Sequence, residues 1–205
     1  MNYSIAHNVA LERFKKCSWE EMVRFSGYMA DEQGIKVEFM GQKFYLEHPE
    51  GTFKATPGEK EELPLFVQIL ILHYLLGSTC EAEEGKLVSY KELPGGELYY
   101  EPFINRSIRP LVHSFGQAPE KLLKAAQHIG GEKNTLGDVS VTIRVFPKVP
   151  VTLVLWKGDE EFPPAGTILF DESISQILHI EDCAVLAGVV VSRLKMLIKE
   201  LQDSE

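Results

Sequence analysis

The chain reads as an α+β protein in which small antiparallel sheets of mixed arrangement pack with several helices. Three observations predict this. Short runs of alternating or β-branched residues recur at 35–46 and 139–156 between Gly and Pro breaks. Segments with helical spacing or capping signals lie on both sides of these runs. One stretch, Leu63–Gly77, is almost continuously apolar and interrupted by Gln68 and His73. It is shorter than the roughly 20 apolar residues that a membrane span needs, so it predicts a central buried helix at about 64–76.

In chain order, Ile5, Val9, Leu11 and Phe14 give a first helix over about 4–16. Ser18 with Glu21 three positions later forms a capping-box pattern, opening a helix to about Ala30 with Met22, Val23, Phe25 and Met29 on its apolar face. Ile35–Phe39 and Phe44–Leu46 predict a hairpin turned at Gly41-Gln42, as type II′ or a related turn, with a third strand at Thr52–Ala55. Acidic Glu59, Glu61 and Glu62 suit the positive end of the helix that Pro64 starts and Gly77 ends. Residues 81–101 are polar and turn-rich; the apolar elements on either side are too few for two secure cores, so one domain is expected over 1–205, with 81–101 as the place where it would subdivide. Helices at 103–115 and 120–129 follow, then strands at 139–145 and 151–156 joined by a two-proline connection, a strand at 167–170, and helices at about 173–179 and 181–202.

Composition narrows the function classes. The 205 residues are 44% hydrophobic and 25% charged, which is ordinary globular material. Thirty acidic against 21 basic residues give a net charge of −9, which disfavours a nucleic-acid or anionic-membrane surface but not a local basic site. Cys17, Cys80 and Cys183 stand far apart, so no zinc knuckle or iron–sulfur run is present. Their odd number, with no leader pattern, predicts reduced thiols in a cytoplasm.

The candidate site is the helix after Pro94-Gly95-Gly96. At 100° per residue, Ile104, Ile108, Leu111, Val112 and Phe115 gather on one face, and Arg106, Arg109 and His113 fall within about 60° of one another opposite them. Guanidinium forks match carboxylate and phosphate oxygens, so these three can hold an anion, with Tyr99 and Tyr100 as an aromatic wall and the Pro-Gly-Gly turn folded over a concave surface. The plainer alternative is a solvated helix face paired with the chain's surplus acids. A second cluster, Asp159-Glu160-Glu161, with Asp171 further on, offers a metal-dependent hydrolase or transferase as the rival reading. Consecutive carboxylates alternate in direction, however, and no metal site is expected there. His73 is expected to be a hydrogen-bonded core histidine rather than an axial ligand. GxSxG, GxxxxGK[ST], GxGxxG and HExxH are all missing from the sequence, so no catalytic residue is named.

Three segments, Leu87–Gly96, Leu155–Pro163 and Ile168–Asp171, resemble a prokaryotic domain family of uncharacterised function found mainly in anaerobes. Some of its members are similar to the portion appended to four-cysteine iron–sulfur modules of corrinoid-type proteins. The resemblance runs from about residue 63 onward. This chain has no four-cysteine run, so the iron–sulfur part does not carry over, and no site residue is transferred. What the resemblance implies is a non-catalytic binding or accessory role in anaerobic one-carbon or corrinoid metabolism. The anionic ligand would then be a corrinoid or another tetrapyrrole, and a protein-interaction module remains the third reading.

Overall fold

The structure, a computed structural model, describes residues 3–58, 62–78 and 84–203. It is an α+β fold with two small antiparallel sheets. The chain divides into two compact units. The first holds residues up to 82 together with 146–148 and 176–178; the second holds the remainder. Cys80 and residues 81–83, like Glu59 and Glu61, lie outside the described residues.

In the first unit, α1 (Tyr3–Phe14) and α2 (Trp19–Ser26) precede a four-stranded meander, β1 (Met29–Asp31), β2 (Gly34–Phe39), β3 (Gln42–Leu46) and β4 (Phe53–Ala55). The Ser18 hydroxyl accepts from the Glu21 amide at 3.3 Å and donates to Glu20, so the serine half of the capping box forms. The helix, however, stops at Ser26 rather than near Ala30. Gly27 adopts φ +75°, which a residue with a side chain resists, and Met29 becomes an exposed strand residue instead of a core one. The hairpin turn is also displaced by one residue. Met40 and Gly41 both take positive φ, which makes the loop Met40-Gly41 and releases Gln42 to pair with Phe39.

Helix α3 (Leu65–Gly77) buries Val67, Ile69, Leu70, Ile71, Leu72, Tyr74 and Leu75. Tyr74 stacks on Phe146 at 4.4 Å and hydrogen-bonds the Ser26 carbonyl, while the Lys148 amide donates to its hydroxyl. Gly77 is needed for space: a Cβ there would stand 1.9 Å from the Ile177 carbonyl oxygen. The helix is apolar nearly all round but not enclosed all round: Leu65 is exposed and His73 is half-buried.

The second unit is built on a five-stranded sheet in the order β5-β9-β8-β7-β6, with β5 (Leu87–Ser89), β6 (Glu132–Asn134), β7 (Val139–Phe146), β8 (Val149–Trp156) and β9 (Ala165–Asp171). The short outer strands β5 and β6 were unforeseen. Each has only three residues, those of β6 all polar, and they gain strand conformation by pairing with β9 and β7. Pro150 lies inside β8 rather than in a connection. Valine and isoleucine side chains on β7, β8 and β9 are buried with Phe170, against the rings of Tyr90 and Phe103.

The helices of this unit are α4 (Tyr100–Phe103), α5 (Arg109–Phe115), α6 (Glu120–Gln127) and α8 (Ile180–Gln202), and the short α7 (Ile174–Ile177) begins in it and ends in the first unit. Between α4 and α5, Ile104–Ile108 form one wide π turn, with the Arg109 amide reaching back to the Ile104 carbonyl. Pro110 explains it. On a regular α-helix its ring would press on the Arg106 carbonyl, which it also cannot serve with an amide. The wider turn relieves both conflicts.

Candidate functional site

The turn before the site is built by its glycines. Gly95 sits at φ +80°, and a Cβ on Gly96 would meet the Tyr90 carbonyl oxygen at 1.9 Å. Ser89 and Glu92 cap the intervening single turn Tyr90–Glu92 from both sides. The Ser89 amide donates to the Glu92 carboxylate, which holds that carboxyl below its usual range. Tyr90 is buried, its ring stacked on Phe103 at 4.1 Å and its hydroxyl donating to the Ile180 carbonyl at 3.0 Å.

Burial along the joined helix repeats every four residues. Phe103, Ser107, Leu111 and Phe115 are buried; Ile104, Ile108 and Val112 are half-buried; Asn105, Arg109 and His113 are exposed. The expected apolar face is therefore shifted toward Phe103 and Ser107. A four-residue line drifts by about 40° per step on a regular α-helix, and the wide turn removes that drift. The Ser107 hydroxyl is taken up by the Phe103 carbonyl at 2.6 Å, so this polar residue costs the core nothing unsatisfied.

Arg106 is exposed on the line next to that of Arg109 and His113. Its main chain lies against α8, where a Cβ on Gly188 would stand 3.2 Å from the Arg106 oxygen. Its charge reaches the Tyr90 hydroxyl. Burial, with lesser contributions from Cys183, Glu181 and Tyr99, pushes that phenol up, and Arg106 opposes the rise. Tyr99, 37% exposed, hydrogen-bonds Glu181 in the first turn of α8. That bond lowers the Glu181 carboxyl and raises the Tyr99 phenol. Tyr100 diverges from it, packing under the Lys91 ammonium at 4.3 Å and against Phe103. Tyr99 and Tyr100 thus do not form one wall. Among the described residues, Arg106, Arg109 and His113 take part in no ion pair.

The acids are differently placed. Asp159 accepts from the amides of Phe162 and Glu161 at 2.7 and 2.8 Å, and these bonds hold its carboxyl below the usual range. It shapes the β8–β9 loop, while Glu160 and Glu161 are exposed. Asp171, at the end of β9, is buried. One oxygen accepts from the Glu84 and Ser173 amides at 3.0 Å each, and the other from Gly85 at 2.7 Å. Burial alone would raise its carboxyl; hydrogen bonds from Ser173 and from the amides of Glu84 and Gly85 outweigh that and lower it. Among the described residues no three His, Cys, Asp or Glu side chains converge for a metal ion, and no helix is long and apolar enough to cross a membrane.

A cavity of about 400 Å³ lies in the first unit, lined by Trp19, Asp31, Glu32, Gln33, Gly34, Glu47, His48 and Glu50. None of the residues singled out from the sequence lines it. The His48 Nε2–H donates to the Cys17 carbonyl at 3.2 Å, and Asp31 and Glu47 are paired with Lys36 and Lys54. The sequence signal for this cavity was only the acid content of two turns.

The class these features define is an α+β domain whose second unit presents arginines on a helix widened at a proline. The chain belongs to the DUF3786 family, a domain of unknown function, whose model matches residues 18–193. No curated protein matches the chain. No solved structure matches it either.

Proposed function

We propose that this protein is a non-catalytic ligand-binding or accessory domain for an anionic small molecule, held by Arg106, Arg109 and His113 with Tyr99 and Tyr100 nearby. One observation carries the reading: in a chain of net charge −9, these side chains are exposed on one helix without a carboxylate partner among the described residues. Two guanidinium groups that meet no carboxylate among the described residues keep their donors for an external anion, whose planar oxygens they match. A corrinoid or other tetrapyrrole, in anaerobic metabolism and in the cytoplasm, is the ligand that the resemblance of Leu87–Gly96 and Leu155–Pro163 favours. The rival, a metal-dependent hydrolase or transferase using the acids between 159 and 171, has less support, because Asp159 and Asp171 already serve backbone amides.

Native mass spectrometry of freshly purified protein, with a visible absorption spectrum, tests the proposal. The expected result is a bound anionic mass that is lost in the Arg106→Gln/Arg109→Gln variant. A ligand-free mass, together with no binding of an added carboxylated tetrapyrrole, would refute it.

A further inference from the structure

The four-residue repeat of burial does more than seat the helix. It places Arg109 and His113 on one exposed line and Arg106 on the adjacent line with Pro110 and Ser114. Adjacent lines of a helix lie about 100° apart, and along the axis Arg106 stands about 4.5 Å from Arg109 and about 10 Å from His113. Arg106 belongs to the flank of α8: its main chain lies against Gly188, and its charge acts on the Tyr90 hydroxyl, as that of Glu181 does. Arg109 and His113 face outward.

We infer that the ligand carries two separated anionic groups, one engaged by Arg106 on the α8 side and the other by Arg109 with His113. The inference rests on the anion-binding reading above. A lone phosphate or carboxylate presents its oxygens within a few ångströms and satisfies one half of this arrangement, leaving the other cation unused. A small molecule bearing two carboxylates on a spacer satisfies both. The α8 flank adds a constraint. Glu181 puts a fixed negative charge beside Tyr99, so the group held by Arg106 works against a neighbour that the other group does not meet. Glu181 is therefore a residue that weakens one end selectively, and Pro110, by forcing the wide turn, sets the separation of the two ends.

The test is an NMR titration of the full chain with inorganic phosphate, succinate and suberate, read on backbone amides of residues 99–115. Suberate is expected to bind about tenfold more tightly than succinate or phosphate, a gain of the size one charge-assisted contact supplies. Arg106→Gln should bring suberate down to the level of succinate while leaving phosphate unchanged, and Glu181→Gln should tighten suberate alone. Equal affinities for the three anions, or a suberate preference that survives Arg106→Gln, would overturn the two-group inference and leave single-anion binding standing. If none of the three binds, the anion-binding reading falls and this inference with it. Amide spectra of the variants that overlay on wild type away from residues 99–115 and 181 confirm that the fold is retained.

Discussion

Asp171 and the arginines of the widened helix belong to the same unit and use their charge in opposite ways. Asp171 is 3% exposed, and both its oxygens accept from backbone amides, two of which (Glu84 and Gly85) come from the segment leading into β5. Arg106 and Arg109 are exposed and meet no carboxylate among the described residues. The difference separates a charge spent on holding the chain from a charge left available. Residue type alone does not distinguish them, since aspartate and arginine each serve both structural and binding roles. What distinguishes them is whether the partner is already inside the molecule.

That comparison breaks first at Asp171. Asp171→Ala should lower the unfolding free energy by about 3 kcal/mol, because three amides lose a charged acceptor in a buried place. Denaturant unfolding at pH 7 measures it, and a loss as small as that at an exposed residue would mean the carboxylate is not structural. Its pH signature has a definite sign. The folded-state carboxyl lies below the ordinary aspartate value of 3.8, so the stabilisation is fully present above that value. It is lost as the pH falls through the lower, folded value. Stability of wild type should therefore fall more steeply than that of Asp171→Ala below about pH 4.

The next effect concerns the turn that leads to the helix. Gly96→Ala should cost roughly 2 kcal/mol, because its Cβ would collide with the Tyr90 carbonyl, a backbone atom that cannot swing away. Unfolding curves report the loss, and the Tyr99 ring signals in an NMR spectrum should shift with it. A variant as stable as wild type would show that the turn can be rebuilt without glycine. The smallest effect is expected where charge is unspent: Arg106→Gln and Arg109→Gln should each change stability by less than about 0.5 kcal/mol. A larger loss at either position would place that arginine with Asp171, among the residues that hold the chain, and would sharpen the distinction against the proposed site.

Much of the fold was legible in the chain. The β-branched runs of β7 and β8, the apolar α3 and the Ser18 cap are local signals, each carried by residues close in sequence. Three of the misreadings share one cause. At Ser26-Gly27, at Met40-Gly41 and at Pro110 a single backbone conformation moved a boundary or a helical line, and periodicity alone does not register it. For the candidate site, the choice of helix and of exposed cations followed from the sequence. The split between Arg106 and the Arg109–His113 pair did not, because a constant 100° per residue places all three in one sector.

By itself the sequence determined the α+β class, the order of the main helices and strands, and which stretches carry unbalanced charge, since these depend on composition and on short-range spacing. Only the tertiary structure decided that 87–89 and 132–134 are strands, because three-residue segments are too short to show a period and become strands only when a longer neighbour supplies their hydrogen-bond partners. It also decided that Asp171 is spent, while Arg106 meets no carboxylate among the described residues. The amides that claim Asp171 come in part from Glu84 and Gly85, more than eighty positions away in the chain. A charge is neutralised by what lies near it in space, and that proximity is created only when the chain has folded.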